Sequence, residues 1–273
     1  MNRDRLGKMA KETVRICEAG QYLAPSGKAV ALAEDINQAV QRTAVYSATN
    51  LPKTQQRPSV ETKIEVANET TFQGLAKLSA RGGHIACLNF ASARNPGGGF
   101  LGGAQAQEEA LARASALYPC LLAASEYYER NRANRSAVYL DLVIFSLQVP
   151  FFRDDRGELL EKPILASVIT SPAPNRGAVA QNEPRNLPLV ESTLRRRADL
   201  VLQVAQAHGL ERLVLGAWGC GVFRNEPAQV ASAFAELLKP PGRFARAFQE
   251  VLFSVYDRGE PPSTFRAFEH AFE

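Results

Sequence analysis

The sequence predicts an α/β fold: a three-layer α/β/α arrangement with one mixed sheet between helical layers, preceded by an N-terminal helical extension. Three observations carry this. Short continuous apolar runs, the mark of strands covered on both faces, alternate with stretches whose apolar residues recur at helical spacing. One segment instead alternates strictly, with Val60, Thr62, Ile64 and Val66 on one face and Glu61, Lys63 and Glu65 on the other, as a half-solvated strand near a sheet edge does. Finally, an Asp-Arg-Gly turn in "FFRDDRGELL" joins two apolar runs as a hairpin, so the sheet is not wholly parallel.

The elements follow in order. Residues 1 to about 56 read as helical and then irregular: "GKAVALAEDINQAVQRTAVYS" places Val30, Ile36 and Val40 near helical spacing, and "TNLPKTQQRP" ends it. After the alternating strand, Thr70 and Gln73 stand at capping-box spacing ahead of the stripe Phe72, Leu75, Leu78, a helix closed by Gly82. "HIACLNF" (84 to 90) is a buried strand, and "EEALARASALY" a helix up to Pro119, which can open a second helix because proline is accepted in a first turn. "AVYLDLVIF" (137 to 145) and "ILASVIT" (164 to 170) are strands, and "SPAPNRGAVAQNEPRNLP" a loop. A helix ending at Gly209, the strand "RLVLGA", the glycine-rich "WGCGVFRN", the helix "EPAQVASAFAELLK" and a last strand "EVLFSVYD" complete the chain.

Composition narrows the class. At 273 residues one large domain suffices, and 45% hydrophobic with 22% charged residues is ordinary for a globular protein. No apolar run approaches the roughly 18 residues of a membrane span, and the N-terminus lacks the apolar core of a secretory signal, so a cytoplasmic protein is expected. Cys17, Cys87, Cys120 and Cys220 lie far apart without a C-x-x-C pair, which reads as reduced thiols. A net charge of +4 suits an anionic ligand but not direct nucleic-acid readout. The run Arg195, Arg196, Arg197 reads as a solvated helix face.

Two glycine-rich loops follow buried strands and lead into helices, the position at which ligands bind in open α/β sheets. In "LVLGAWGCGVFRNEP", Gly216, Gly219 and Gly221 precede Pro227 just inside a helix. The residues leave two readings of equal weight: backbone N–H groups cradling a phosphate or diphosphate at a helix N-terminus, or a tight turn that needs glycine for its angles. Trp218 and Phe223 favour the first if they pack on a base or sugar, and core packing is their alternative. The loop is neither a Walker loop nor a G-x-G-x-x-G fingerprint.

The other loop is "LNFASARNPGGGFLGGAQAQEEAL", where Pro96 and the triplet Gly97, Gly98, Gly99 precede Gln107, Glu108 and Glu109 at a helix start. Adjacent helical residues point roughly 100° apart, so the two glutamates have separate tasks. A metal site is not expected, because His84, His208 and His270 are scattered and there is no H-E-x-x-H. Neither a Ser-His-Asp nor a Cys-His arrangement is indicated, which leaves carboxylate chemistry. A glycosidic bond breaks by acid assistance through an oxocarbenium-like transition state, so a carboxylate beside a diphosphate cradle suggests a sugar-nucleotide bond.

The triplet Gly97-Gly98-Gly99, seven residues, then Gln107-Glu108-Glu109 resembles the signature of poly(ADP-ribose) glycohydrolases, and the flanking "NFASARNPGGGFLGGAQAQEEAL" resembles their bacterial branch. "LGAWGCGVFRNEP", "AGQYLAPSGKAV", "SPAPN" and "VPFFRDDRGELL" are similar to further segments of that family. The resemblance implies a macrodomain-like catalytic domain over residues 58–273, with residues 1–57 as a helical extension packed on it. It implies metal-independent hydrolysis of the ribose-ribose bonds of poly(ADP-ribose), mainly from the chain end, releasing ADP-ribose and requiring no cofactor. Glu109 corresponds to the catalytic acid and Glu108 to the residue holding the neighbouring ribose or the active geometry. Gln107 supports the loop, and Asn95 with Gly97, Gly98 and Gly99 lines the distal ribose. Gly219, Cys220, Gly221 and Val222 offer N–H groups to the diphosphate, and Phe223 packs on the ribose. "SPAPN" is the candidate for adenine contacts, and Arg224 stands where a smaller residue is expected. The expected partners are poly(ADP-ribose) or ADP-ribosylated proteins, with the enzyme a monomer. The alternatives are an ADP-ribose-binding macrodomain without turnover, or a hydrolase of another ADP-ribosyl linkage.

Overall fold

The computed structural model describes residues 2–53 and 60–273. The boundary expected between residues 57 and 58 lies outside the described residues. The chain opens with α1 (Arg3–Ala19), the short strands β1 (Gln21–Leu23) and β2 (Ala29–Ala31), α2 (Ala33–Gln41) and β3 (Ala44–Tyr46). Next come β4 (Lys63–Ala67), α3 (Thr71–Ala80), β5 (Ile85–Phe90), α4 (Gln107–Ala114), α5 (Leu117–Ala123) and α6 (Ser125–Ala133). The second half holds β6 (Val143–Arg153), β7 (Leu159–Ser171), α7 (Arg176–Asn182), α8 (Leu189–Ala207), β8 (Arg212–Leu215), α9 (Pro227–Leu238), β9 (Glu250–Ser254) and α10 (Ser263–Phe272).

Seven strands form one sheet in the order β3-β6-β7-β5-β8-β9-β4. The run from β7 to β4 is parallel, whereas β6 lies antiparallel to both β7 and β3. The mixed sheet, the hairpin at Asp154–Glu158 and the edge position of β4 are as the sequence predicts. Side chains of β5 show how the layers form: Ile85 and Cys87 join the core with Leu75, Leu78 and Leu121, while Ala86 and Leu88 join the opposite core with Leu194, Val201 and Phe234. Period-two alternation of a fully apolar strand thus feeds two helical layers. The capping box at α3 is present, Thr70 accepting from Gln73 N–H and the Gln73 side chain accepting from Thr70 N–H.

Several local expectations are corrected. The N-terminal stretch is not purely helical: β1 and β2 form a hairpin closed at Gly27, whose φ is +81°, and β3 joins the main sheet beside β6. The helix after the glycine triplet ends at Ala114, not at Pro119. Ser115 adopts extended backbone, and its hydroxyl donates to Leu111 O (2.8 Å) while accepting from Leu117 N–H (3.1 Å). That local pairing competes with the helix ladder, and Pro119 then sits in the first turn of α5, as proline permits. The strand expected from Ala137 begins only at Val143, because the 137–142 stretch turns through Tyr139, whose φ is +62°. The loop after β7 contains α7, and α10 has no counterpart in the expectation; its Phe268 and Phe272 pack on Phe253.

The arginine run is also corrected in part. Arg197 is fully buried, donating to the Asp141 carboxylate (3.0 Å), Pro172 O (2.6 Å), Val138 O (3.0 Å) and Tyr139 O (3.3 Å). Five fixed donors suit Arg197 to gather those acceptors at one point, whereas Arg195 and Arg196 remain solvated. All four cysteines are free, and burial pushes the thiols of Cys17, Cys87 and Cys220 up to about 12. Among the described residues no helix is long and apolar enough to cross a membrane.

Candidate active site

The site is built on the C-terminal end of β5. Pairing with β8 ends at Cys87, so Leu88 O and Phe90 N–H on that side lack a strand partner. The Gln107 side chain supplies one: Oε1 accepts from Phe90 N–H (2.9 Å) and Nε2 donates to Leu88 O (2.8 Å) and Thr71 Oγ1 (3.1 Å). A primary amide carries a donor and an acceptor like a peptide group, so Gln107 anchors the first turn of α4 to the central strand.

That anchor fixes the glutamates. Glu108 is buried, its Oε2 accepting from Ser92 N–H (2.7 Å) and its Oε1 from Asn89 Nδ2 (3.3 Å). Desolvation raises its pKa to about 8, with the neighbouring Glu109 charge acting the same way and the hydrogen bonds from Ser92 and Asn89 opposing it. Glu109 is half-buried and its Oε1 accepts from Gly99 N–H (3.0 Å). Gly97 and Gly98 both take left-handed backbone, with φ of +67° and +59°. A Cβ at Gly98 would stand 2.3 Å from Glu109 Oε1 and 3.1 Å from Glu108 Oε2. The glycine is therefore what lets both carboxyls close on one backbone point.

The glycine loop is held from two sides. Arg113 donates to Ala104 O (2.7 Å), and from α1 Arg3 donates to Gly102 O (2.9 Å) while Thr13 donates to Arg113 O (2.7 Å). A Cβ at Gly103 would collide with the Arg3 carbonyl, so the N-terminal helix lies directly against the loop.

The second loop follows β8. Trp218 is buried and donates from Nε1 to Ser171 O (2.9 Å), so core packing, not ligand stacking, accounts for it. Asn225 Nδ2 donates to Pro174 O (2.9 Å) and Gly219 O (3.3 Å), and Gly177 N–H to Phe223 O (3.0 Å), zipping the loop to the "SPAPN" stretch. That stretch is a buttress, of which Ala173 reaches the cavity wall. Gly219 has φ +72°, and a Cβ there would lie 2.5 Å from that of Ala173. Cys220 N–H is committed to Ala217 O (3.2 Å), whereas the N–H groups of Gly219, Gly221, Val222 and Phe223 have no protein partner among the described residues. Val222 is 80% exposed and Arg224 lays its side chain over Gly177.

Asn95, Gln107, Glu108, Glu109 and Gly219 to Phe223 line one cavity of about 1160 Å³, and the triplet Gly97–Gly99 stands against its carboxyls. Asn95 is exposed, its carbonyl accepting from Gly98 N–H (3.0 Å). Three further residues on the wall escape sequence reasoning. Tyr139 faces Phe223 with ring centroids 6.0 Å apart, and nothing local in its sequence signals this. Tyr256 and Arg258 form an exposed stacked pair, the guanidinium 5.0 Å from the ring centroid. Their place just after the C-terminal end of β9 is a usable signal, since ligands gather at such ends. Among the described residues no group of three or more His, Cys, Asp or Glu side chains is placed to hold a metal.

A mixed three-layer sheet with a carboxyl pair and an open backbone N–H loop at its C-terminal edge defines a macrodomain-type hydrolase for an anionic sugar nucleotide. Residues 10–154 match the family described as microbial-type PARG, catalytic domain. The fold is similar to the crystal structure of poly(ADP-ribose) glycohydrolase (PARG) from Thermomonospora curvata, at 45% identity over 99% of this chain and 100% of that chain, with a TM-score of 0.91. It is similar also to the same enzyme bound to the inhibitor ADP-HPD, at 45% identity over 98% and 99% of the two chains and a TM-score of 0.90. The PARG of Deinococcus radiodurans in complex with ADP-ribose matches at 46% identity over 87% and 96%, with a TM-score of 0.79. No curated protein matched. The chain belongs to the microbial-type poly(ADP-ribose) glycohydrolase family.

Proposed function

We propose that this enzyme hydrolyses the ribose-ribose O-glycosidic bonds of poly(ADP-ribose), mainly from the chain end, with Glu109 as the acid. The convergence of both carboxyls on Gly98 carries the reading, because it sets one buried and one half-buried carboxyl beside a backbone edge with room for a ribose. Glu109 protonates the departing ribose oxygen as the bond from the anomeric carbon breaks. Water then adds to the oxocarbenium and returns a proton to Glu109, so the acid is restored. Glu108, held by Ser92 and Asn89, fixes the ribose beside it.

The unpartnered N–H groups of Gly219, Gly221, Val222 and Phe223 cradle the diphosphate of the terminal unit. Cys220 serves through its place in the turn. Phe223 and Tyr139 wall the distal ribose, with Asn95 at the rim. The Tyr256–Arg258 pair offers a flat surface for adenine. Chain-end action is what the resemblance to the bacterial branch implies. The substrate is poly(ADP-ribose), free or carried by ADP-ribosylated proteins, and the enzyme acts as a cytoplasmic monomer.

The test is release of ADP-ribose from purified polymer, with and without EDTA, by wild type and Glu109→Gln. Expected are EDTA-insensitive release of monomer ahead of oligomers and loss of turnover in the variant, with ADP-ribose affinity kept within a few-fold. Wild-type turnover in Glu109→Gln overturns the assignment, and intact polymer beside tight ADP-ribose binding marks a reader without turnover.

A further inference from the structure

Cations gather at the end of the cavity where Tyr139 faces Phe223. Arg94 is exposed and lines the cavity next to Asn95. Ser92, whose N–H holds Glu108, also fixes this turn, its Oγ accepting from Arg94 N–H (3.2 Å) and Asn95 N–H (3.0 Å). The last turn of α6 ties Arg94 to the Tyr139 wall: Arg132 Nη1 donates to Arg94 O (2.8 Å), and the adjacent Asn131 accepts at Oδ1 from Leu140 N–H (3.0 Å). Arg224 directly follows Phe223, whose ring centroid is 6.0 Å from that of Tyr139. Its φ is +58°, backbone that glycine adopts freely and a residue with a Cβ does not. Folding alone therefore favours glycine at 224, and what arginine adds is an exposed cation beside the diphosphate loop. The guanidinium groups of Arg94 and Arg224 have no hydrogen-bond or ion-pair partner among the described residues. The carboxylates at this end are already committed: Glu183 accepts from Ser136 Oγ (2.6 Å), Ala137 N–H (2.7 Å) and Asn186 Nδ2 (2.8 Å), and Glu226 Oε1 stands 3.3 Å from Arg176 Nη1.

We propose that Arg94 and Arg224, with Arg132 beside Arg94, form a cationic subsite for the diphosphate of the penultimate ADP-ribose unit, the unit that departs when the terminal bond is cut. This rests on the proposed seating of the terminal unit, with adenine at Tyr256–Arg258, the diphosphate on the N–H groups of residues 219–223, and the distal ribose between Phe223, Tyr139 and Asn95. The bond to be cut leaves that ribose at its anomeric carbon, so the rest of the polymer passes out over the Asn95 and Phe223 rim. The next phosphates lie one ribose further along, within the span of arginine side chains on that rim. A guanidinium presents paired donors to phosphate oxygens, and exposed rim charges of this kind act on capture of a polyanion more than on the chemical step.

The experiment compares wild type with Arg94→Gln, Arg224→Gln, the double variant, Arg224→Lys and Arg224→Gly. It measures initial-rate release of ADP-ribose from purified polymer across a range of salt, ADP-ribose affinity by calorimetry, and melting temperature. Expected are a rise in KM for polymer of about threefold per charge removed, as for an exposed ion pair, with kcat kept within about twofold and a shallower dependence of KM on salt. Arg224→Lys keeps most of the wild-type KM. Arg224→Gly raises KM as Arg224→Gln does while melting no lower than wild type, a split that a purely structural arginine does not give. ADP-ribose affinity stays within about twofold, because the monomer has no penultimate diphosphate. Unchanged KM and salt dependence in the double variant overturn the proposal, as does an equal loss of ADP-ribose affinity, which puts the cations on the terminal unit. If wild type releases no ADP-ribose from polymer, the hydrolase reading fails, and fluorescence anisotropy of labelled intact polymer then decides: weaker polymer binding by the double variant with ADP-ribose affinity kept upholds the subsite, and unchanged polymer binding overturns it.

Discussion

Gly98→Ala separates the chemistry of the site from its stability. The added Cβ lies 2.3 Å from Glu109 Oε1, against the 3.4 Å or more of an ordinary contact, so the oxygen moves by about 1 Å. It is the far end of a flexible side chain, and the fold yields by swinging Glu109 aside. A displacement of that size at the reacting group costs about 10²-fold in rate. The backbone cost is separate: holding alanine at φ +59° costs roughly 1–2 kcal/mol, or about 2–8 °C in melting temperature for a protein of this size. Gly27→Ala is the control, with φ +81° and nothing within 4 Å of the added methyl. The assay is initial-rate release of ADP-ribose from polymer together with thermal unfolding of both variants. Both should lose similar stability, and Gly98→Ala alone should lose about two orders of magnitude in kcat. A folded Gly98→Ala enzyme within about threefold of wild type would refute the idea that this glycine exists to admit the carboxyls.

Two further outcomes follow from the buried groups. Glu108 titrates near 8 when folded and near 4.5 as a free carboxyl, so the folded state holds the extra proton and stability contributed below about 4.5 is lost as pH rises through 8. Glu108→Gln removes that slope, and melting temperatures measured across this window should fall less steeply with pH than those of wild type. Arg197→Met leaves the carbonyls of Pro172, Val138 and Tyr139 without the Arg197 donor, while Asp141 keeps Arg196 Nε (3.2 Å). Leaving buried carbonyls without a donor costs about 1–3 kcal/mol, read as a lower urea midpoint, with proteolysis of the 137–142 stretch preceding global unfolding.

The sequence alone carries several elements that depend on local pattern. Short continuous apolar runs mark β5 and β8 as buried strands, alternation marks β4 as an edge, and the Asp-Arg-Gly turn makes β6 and β7 antiparallel, because each follows from side-chain direction or turn chemistry within a few residues. The pairing of Gly97–Gly99 with Gln107–Glu109 is equally legible, since both halves lie in one short stretch. What it leaves undecided concerns partners distant in the chain. Arg197 reads as solvent-facing until the 137–142 loop brings Asp141 and three carbonyls to it, and Trp218 reads equally as ligand platform or core until Ser171 O claims its indole N–H. β3 looks helical because three residues carry too little pattern to announce that β6 needs an edge partner. The resemblance assigns the two glutamates separate roles, but as adjacent letters of a helix they show no difference in environment; the Asn89 amide and Ser92 N–H hold one of them and Gly99 N–H the other, so one carboxyl is buried and the other half-buried at the same cavity. Burial and charge environment are properties of the assembled fold, and that is why only the tertiary structure shows Glu108 buried and Glu109 half-buried.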